Sequence, residues 1–245
     1  MKLVRFLHKN VVCSGALEGE AILPEGAKDA SENIPLQDVK LLAPVKPSKV
    51  VLVGLNYLDH AKELGMEIPE EPIIFIKPPT TVIGPGEDII YPASSSRVDY
   101  EAELAVVIKD EIRNIKQAEA EEHILGYTCL NDVTARDLQK KDVQWARAKS
   151  FDTFSPVGPW IETELDPADI AVRSFLNDEL RQDSRTSEFI FSISYLIEFI
   201  SGVMTMYPGD IISTGTPHNV GPMNPGDKIT IEIEGIGLLT NSIVL

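Results

Sequence analysis

Cysteine is scarce in this chain of 245 residues, which contains only Cys13 and Cys129. The two stand far apart, and neither belongs to a CxxC pair. Disulfide-stapled domains and cysteine-rich zinc sites both need several cysteines at characteristic spacings. Both classes are therefore excluded, and we expect a protein of a reducing compartment, the cytoplasm.

Positive charge is also in short supply. Lys and Arg number 22 against 38 Asp and Glu, which gives a formal net charge of −16. Nucleic-acid phosphates and anionic lipid surfaces are bound through Lys and Arg, so we expect neither as a partner. A small anionic substrate stays possible, because a bound cation can reverse the field inside one pocket.

Long uninterrupted hydrophobic runs are missing. The most apolar stretch, residues 189–207, contains Glu198 and several serines, and so fails the criterion for a membrane-spanning helix. The first ten residues include Arg5, His8 and Lys9, which do not fit the apolar core of a signal peptide. We expect a soluble protein without a membrane partner.

Several common catalytic signatures are absent as well. The sequence has no GxxxxGK(S/T) phosphate loop, no GxSxG nucleophile elbow and no HExxH zinc motif. These absences weigh against a nucleotidase, a serine hydrolase of the GxSxG type and a zinc protease.

Prolines mark a change of organisation near residue 45. The stretch from Leu42 to Ser48 contains Pro44 and Pro47 and predicts a linker. Before it, short strands and turns are indicated, for example at residues 2–6 and 20–23. We therefore predict a small N-terminal domain over residues 1–45 and a larger domain over residues 46–245.

The larger segment reads as strands with a few helices. Helices are predicted at residues 56–64, 118–125, 134–142 and 189–206. Strands are predicted at residues 50–54, 73–76, 100–108, 126–130 and 211–214, and a hairpin at residues 228–245. Because strands and helices do not alternate regularly, the pattern favours a β-rich α+β fold with a mixed or antiparallel sheet over a Rossmann sheet.

The most informative local pattern is Glu101 and Glu103 on a predicted strand. Residues two apart on a strand face the same side, with Cα atoms about 6.5–7 Å apart. Two carboxylates aimed together in a half-buried strand repel each other unless a cation lies between them, and Mg²⁺ is a suitable hard ion. Asp132, after the strand at 126–130, is a third available ligand. The alternative is a solvated strand face, which a bare ExE pattern often marks.

Two further signals point to acid–base chemistry. His60 and Glu63 are three residues apart on a predicted helix, so they share a face, and the carboxylate can orient the imidazole as a general base. Lys149 enters a stretch rich in Phe, Pro and Gly, where an ammonium group can stabilise a developing oxyanion. The alternatives are a surface His–Glu pair and a lysine on a strand edge.

Together these pieces belong to a longer series of motifs over residues 50–240. In chain order they are Gly54-Leu55-Asn56-Tyr57 with His60 and Glu63, Phe75-Ile76-Lys77-Pro78, residues 99–104, residues 131–139, residues 149–152 with Pro156-Val157-Gly158-Pro159, and Gly215-Thr216-Pro217 with Gly221 and Pro225-Gly226-Asp227. The series resembles the fumarylacetoacetate hydrolase superfamily, in its small acylpyruvase and 2-hydroxyhepta-2,4-diene-1,7-dioate isomerase-like branch. One departure is His218, where a small residue is expected after Gly-Thr-Pro.

The resemblance implies a mixed β-roll catalytic domain preceded by a small N-terminal β domain, and a homodimer. It implies that Mg²⁺, or alternatively Mn²⁺ or Ca²⁺, is bound by Glu101, Glu103 and Asp132. It further implies that Gln139 and Thr216 contact the substrate. His60, Glu63 and Lys149 are the catalytic residues that it implies.

The implied activity is C–C bond hydrolysis of an acylpyruvate-type 2,4-dioxo acid through a metal-chelated enolate, as in the catabolism of aromatic compounds. The same site would also serve a 2-hydroxyhepta-2,4-diene-1,7-dioate isomerase, an oxaloacetate tautomerase or a decarboxylase. An alternative of another class is a divalent-metal-binding module without catalysis.

Overall fold

Strands supply most of the regular structure in the computed structural model of this protein, which describes residues 1–65 and 67–245. The strands are β1 Lys2–His8, β2 Val11–Glu18, β3 Ala21–Pro24, β4 Ile34–Pro35, β5 Lys40–Leu41, β6 Val50–Val53, β7 Ile74–Lys77, β8 Val82–Ile83, β9 Ile89–Ile90, β10 Val98–Tyr100, β11 Ala102–Ile108, β12 Ile124–Asn131, β13 Thr134–Ala135, β14 Ser155–Glu162, β15 Ala171–Leu176, β16 Glu179–Arg185, β17 Ile211–Ser213, β18 Gly221–Met223, β19 Lys228–Ile233 and β20 Gly237–Val244. The α-helices are α1 Leu58–Leu64, α2 Arg136–Lys141, α3 Ala146–Lys149 and α4 Ile193–Val203. Short 3-10 helices lie at Ala30–Glu32, Leu36–Asp38, Pro79–Thr81, Gln117–His123 and Thr186–Glu188. The predicted β-rich α+β class is confirmed.

The strands form three sheets of mixed direction. The largest has the order β4-β3-β2-β1-β14-β12-β11-β17-β6-β7, with β5 beside β1 and β8 beside β14. A second sheet has the order β16-β15-β19-β20-β9, and a third β13-β10-β18. Most neighbours are antiparallel, whereas β6 and β17 run parallel. The absence of regular helix–strand alternation in the sequence thus predicted the sheet type correctly.

Strand β11 forms the centre of the large sheet. The alternation of residues 100–108 in the sequence predicted a half-buried strand, but every residue of β11 is buried. Leu104 and Val106 belong to the main core, while Ala105 packs into a second cluster with Leu130 and Ile211. Strands covered on both faces need not alternate. Glu103 is therefore enclosed by protein and does not belong to a solvated face.

Three predicted helices differ in the structure. The helix predicted at 189–206 begins only at Ile193, where the side chain of Ser192 accepts the Tyr195 amide at 3.3 Å. Residues 117–123 form a 3-10 helix, and β12 begins at the next residue. Thr134 and Ala135 pair with β10, so α2 starts two residues later than predicted, at Arg136. Within the described part of the chain, no helix has the combined length and apolar character needed to cross a membrane.

The N-terminal strands β1–β5 carry a small core of their own, formed by Val4, Phe6, Leu17 and Ile22. Strand β1 also pairs with β14, where Lys2 lies opposite Glu162. Trp160 packs against both this small core and the main one. The ladder between β1 and β14 thus makes the N-terminal strands part of the large sheet, and the domain boundary at residue 45 stays a prediction.

Candidate active site

Three acidic side chains meet where β10, β11 and β12 come together. Glu101 lies in the break between β10 and β11, Glu103 is on β11, and Asp132 follows the end of β12. The amide of Asp132 donates to the carbonyl oxygen of Glu101 at 2.9 Å, and the amide of Glu101 donates to Asn131 Oδ1 at 3.0 Å. These hydrogen bonds between two neighbouring strands therefore fix the positions of all three residues. The ExE spacing had predicted that Glu101 and Glu103 lie together.

The three carboxylates form a buried cluster whose oxygen atoms lie within 4.8 Å of one another. Burial, followed by the nearby charges of Asp132 and Glu101, raises the pKa of Glu103 well above its ordinary value. A divalent cation between the carboxylates would relieve their mutual repulsion, and carboxylate oxygens are the donors that hard cations prefer. The donor set and its electrostatics thus fit a divalent metal ion.

Two buried lysines compensate part of the cluster's charge. Lys149 Nζ donates to Glu101 Oε2 at 2.8 Å and also to Asp132 Oδ2. Lys77 Nζ donates to Asp132 Oδ1 at 2.8 Å and to the carbonyl oxygen of Val133 at 3.3 Å. Burial opposes the charge of Lys149, but Asp132 and Glu101 raise its pKa above the ordinary value. Burial prevails at Lys77 and lowers its pKa.

Arg136, at the start of α2, connects the cluster to its surroundings. Its guanidinium donates to Asp99 Oδ2 at 2.8 Å, to Gln139 Oε1 at 2.6 Å and to Glu101 Oε1. Burial would raise the pKa of Glu101, but Lys149 and Arg136 hold it well below its usual range. Because the amide oxygen of Gln139 accepts from Arg136, the amide N–H groups of Gln139 are left for another acceptor.

The predicted His60–Glu63 pair forms on α1. His60 Nδ1 lies 2.8 Å from Glu63 Oε2, and the His60 side chain is 10% exposed. The other carboxylate oxygen of Glu63 accepts the backbone amide of Asn219 at 3.1 Å. When Nδ1 donates its hydrogen to Glu63, Nε2 is the unprotonated nitrogen of the neutral ring. The pair therefore has the arrangement that a general base requires.

Thr216 lies in the loop after β17, and its position depends on Gln182 of β16. Gln182 Nε2 donates to Thr216 Oγ1 at 2.9 Å and to the carbonyl oxygen of Pro217 at 2.9 Å. Gln182 Oε1 in turn accepts the amide of Ala102 at 3.0 Å. The same loop holds the acidic cluster, because the amide of Gly215 donates to Glu103 Oε2 at 3.0 Å.

One cavity of about 340 Å³ brings these groups together. Seven of the eight predicted site residues line it, namely His60, Glu101, Glu103, Asp132, Gln139, Lys149 and Thr216. The eighth, Glu63, contacts the cavity only through His60. A larger groove of about 850 Å³ near α4 is lined by none of them. Size alone would have selected a groove that none of the predicted site residues lines.

The remaining cavity wall is largely apolar. Leu55, Ile73, Phe75 and Trp145 line it. The rings of Phe75 and Trp145 meet edge to face, with centroids 5.4 Å apart. Gly54 leaves room for the indole, since a Cβ there would lie 2.8 Å from a Trp145 ring atom. The cavity thus has a charged floor and an apolar side.

Sequence reasoning assigned no role to Lys77, Arg136 or Gln182. Lys77 and Arg136 stand inside quoted motifs, and a lysine that directly follows the apolar run Ile73–Ile76 is a signal that could have been used. A charged residue that ends an apolar strand needs a partner where it is buried, and Lys77 is the buried residue of β7. Gln182, on a strand rich in charged residues, has no comparable signal.

Comparisons with known proteins identify relatives along the whole chain. The family model described as fumarylacetoacetate hydrolase, C-terminal, matches residues 49–244. A second model, described as Rv2993c-like, N-terminal, matches residues 1–44.

Three relatives show the range of activities. The structure of a 5-carboxymethyl-2-hydroxymuconate delta-isomerase from Mycobacterium smegmatis is 48% identical, with a TM-score of 0.94, and the match covers 100% of this chain and 98% of that one. A maleylpyruvate hydrolase from Sphingobium sp. SYK-6, in complex with manganese(II) and pyruvate, is 31% identical with a TM-score of 0.84, covering 100% and 99%. The mitochondrial oxaloacetate tautomerase FAHD2A of Homo sapiens is 39% identical over 243 residues, which are 93% of this chain and 77% of that protein.

Proposed function

Because this chain belongs to the fumarylacetoacetate hydrolase family, whose members here are metal-dependent hydrolases and isomerases, we propose that it hydrolyses a C–C bond in an acylpyruvate-type 2,4-dioxo acid. The observation that carries this proposal is the shared cavity. It places the His60 base, the acidic cluster and the Lys149 ammonium around the same space. Hydrolysis of this kind needs all three.

Glu101, Glu103 and Asp132 would hold the divalent metal ion, which we propose to be Mg²⁺, with Mn²⁺ as the ion bound to the Sphingobium relative. When bound, the ion supplies Lewis-acid polarisation of the 2-oxo group and neutralises the substrate carboxylate.

The chain's own polar groups would orient the substrate. The free amide N–H groups of Gln139 and the hydroxyl of Thr216 are donors for carboxylate and carbonyl oxygens. Lys149, whose ammonium is held in the charged state by Glu101 and Asp132, stabilises negative charge that develops on an oxygen beside it. The apolar wall around Phe75 and Trp145 then suits an uncharged acyl group.

His60 would act as the base. Its Nε2 takes a proton from a water molecule, and the hydroxide oxygen attacks the carbonyl carbon at position 4. The bond between carbons 3 and 4 breaks, and its electron pair stays on carbon 3. The proton that His60 took from water returns to that carbon and completes pyruvate, and the acyl part leaves as a carboxylic acid. Glu63 stabilises the imidazolium that forms in the first step.

Tautomerisation of oxaloacetate is the second candidate, with isomerisation and decarboxylation as related reactions of the same site. The human relative is a tautomerase, and its reaction needs proton transfer at carbon 3 without an attacking water. Lys140 supports this candidate, because it lines the cavity. Its ammonium could bind the second carboxylate of oxaloacetate.

Ultraviolet absorbance of acetylpyruvate and of oxaloacetate, with Mg²⁺ and then with EDTA, tests the proposal. We expect EDTA-sensitive loss of the acetylpyruvate enol band, with pyruvate and acetate as products. His60→Ala should lower kcat by at least about 100-fold, the usual contribution of a positioned base. His123→Ala is the matched control, since His123 pairs with Asp110 outside the cavity.

The other outcomes separate the alternatives. Turnover of oxaloacetate without cleavage products would replace hydrolysis by tautomerisation, and Lys140→Met should then raise the KM for oxaloacetate. A metal-induced rise in melting temperature without any turnover would favour a metal-binding module.

We further propose a cytoplasmic homodimer whose partners are small anionic 2-oxo acids, without nucleic acid or membrane. Exposed Ile76 on the edge strand β7 and exposed Val143 nearby are available for contact between subunits. Light scattering after size-exclusion chromatography tests this, and a monomer mass near 27.0 kDa would contradict it.

A further inference from the structure

His218 departs from the expected small residue after Gly-Thr-Pro, and its surroundings suggest a reason. Its Nδ1 atom lies 3.0 Å from Asp59 Oδ2 in the first turn of α1. Ser184 Oγ of β16 donates to the same carboxylate oxygen. Three elements thus meet at the Asp59 carboxylate, namely helix α1, strand β16 and the loop that follows β17. Both the imidazole and the carboxylate are partly screened from solvent.

A second contact joins the same two elements one turn further along. The backbone amide of Asn219 donates to Glu63 Oε1 at 3.1 Å, while Glu63 Oε2 contacts His60. Asn219 has a φ of +66°, a left-handed conformation that Asn tolerates better than most residues. The loop therefore contacts α1 at both Asp59 and Glu63, on either side of His60 in the sequence.

We propose that His218 is a positioning residue that holds α1, and with it His60, against the loop carrying Thr216. A helix of seven residues is too short to be stable by itself. Its orientation must therefore come from tertiary contacts. The contact of His218 with Asp59 acts at the first turn, and the contact of Asn219 with Glu63 acts near the last.

The arrangement also connects the substrate to the base. Thr216 lines the cavity and lies only two residues before His218 in the same loop. Gln182 restrains the loop here, because its amide donates to Thr216 Oγ1, Pro217 O and His218 O. A displacement of the loop would thus move Thr216 and α1 together. This inference rests on the proposed function, in which His60 is the base and Thr216 contacts the substrate.

Hydrogen exchange of the backbone amides in residues 58–64 tests the contact without relying on activity. We expect His218→Ala to speed exchange there by about fivefold, the factor that corresponds to the loss of a partly exposed side-chain contact of up to ~1 kcal/mol. His218→Gln should lie between Ala and the wild type, because it keeps the bulk and a donor. His123→Ala, which removes a comparable His–Asp contact at 2.7 Å, should leave exchange in α1 unchanged.

Kinetics on the substrate that is turned over, acetylpyruvate or oxaloacetate, supply the second measurement. We expect His218→Ala to lower kcat by about the same factor while KM changes less, since His60 acts in the chemical step. Adding Asp59→Asn to His218→Ala should have little further effect on either readout if the two side chains act on each other.

The outcomes are distinguishable. Unchanged exchange in both His218 variants would overturn the inference, as would fully additive effects in the double variant. Faster exchange with an unchanged kcat would leave the positioning of α1 standing and would contradict the proposed role of His60.

Discussion

Single residues decide how this protein tolerates three carboxylates in its interior. Lys77 is completely buried, and its ammonium donates to Asp132 Oδ1 at 2.8 Å. Lys77 does not line the cavity, whereas Lys149 does. The first therefore serves the folded state and the second is available to a substrate.

Replacing Lys77 by Met should destabilise the protein by about 3–5 kcal/mol, because a buried carboxylate loses a partner. Urea unfolding in the presence of EDTA measures the change. Lys40→Met is the control, because Lys40 is largely exposed in its pair with Glu87 and its loss should change stability by less than about 1 kcal/mol. Equal stability of the Lys77 variant and the wild type would contradict the compensation argued for the cluster.

Glu103→Ala should abolish stabilisation by the metal. A ligand at 100 times its Kd stabilises a folded protein by about 2.7 kcal/mol, so Mg²⁺ or Mn²⁺ should raise the wild-type melting temperature. The variant, which lacks one of three ligands, should show little or no rise. If it kept the full rise, the ion would bind elsewhere and the assignment of the cluster would be wrong.

Gly54→Ala tests the apolar wall. The added Cβ would lie 2.8 Å from the Trp145 ring, so the indole must move. We expect a loss of stability of about 1–3 kcal/mol and an altered KM for acylpyruvates of different chain length. Gly202→Ala in α4 is the matched control, since its Cβ meets nothing within 4 Å. That variant should be as stable as the wild type or slightly more stable.

At the scale of elements, the end of the proline-containing linker is hydrogen-bonded to Asp210, a residue far along the chain. Asp210, just before β17, accepts the Ser48 amide at 2.8 Å, the Ser48 hydroxyl at 2.7 Å and the Tyr207 amide at 2.9 Å. Lys49 Nζ also donates to it. The predicted linker thus ends in an ordered turn, which the Asp210 carboxylate holds through hydrogen bonds.

The same carboxylate predicts a pH dependence of stability. Burial would raise the pKa of Asp210, but Lys49 and the bonds from Tyr207 and Ser48 lower it below its ordinary value. The folded pKa is below the unfolded one, so the stabilisation is complete above about pH 4 and is lost as the pH falls through the folded pKa.

Asp210→Asn should therefore destabilise the protein by about 2 kcal/mol at pH 7. The difference from the wild type should shrink as the pH falls below about 4. Urea unfolding at several pH values measures this. Asp178→Asn, in an exposed pair with Lys228, should show no such dependence. A difference that stays constant down to pH 3 would contradict the assignment.

At the scale of the whole molecule, experiment can show whether the N-terminal strands unfold separately from the rest of the protein. Phe6 is fully buried in the small core of β1–β5, so Phe6→Ala should lower stability by about 3–5 kcal/mol. If residues 1–45 are a domain of their own, calorimetry should show one early transition, and activity should persist above it. A single shifted transition would show that the ladder between β1 and β14 couples the two parts.

The sequence by itself determined the sheet-rich class and most of the site. Glu101 and Glu103 share a face because strand geometry has a period of two, and His60 meets Glu63 because residues three apart adjoin on a helix. Both rules concern nearby residues of one strand or one helix, so they apply whatever the tertiary structure is. Asp132 and Lys149 were candidates from the sequence as well, and the resemblance of ordered motifs added Gln139 and Thr216.

Only the tertiary structure decided which charges compensate the cluster and how deeply it is buried. Lys77 reaches Asp132 across 55 residues of chain, and His218 reaches Asp59 across an even longer separation. The alternation of β11 did not reveal that both of its faces are covered. Burial and charge compensation depend on which distant segments meet, and no local periodicity encodes that.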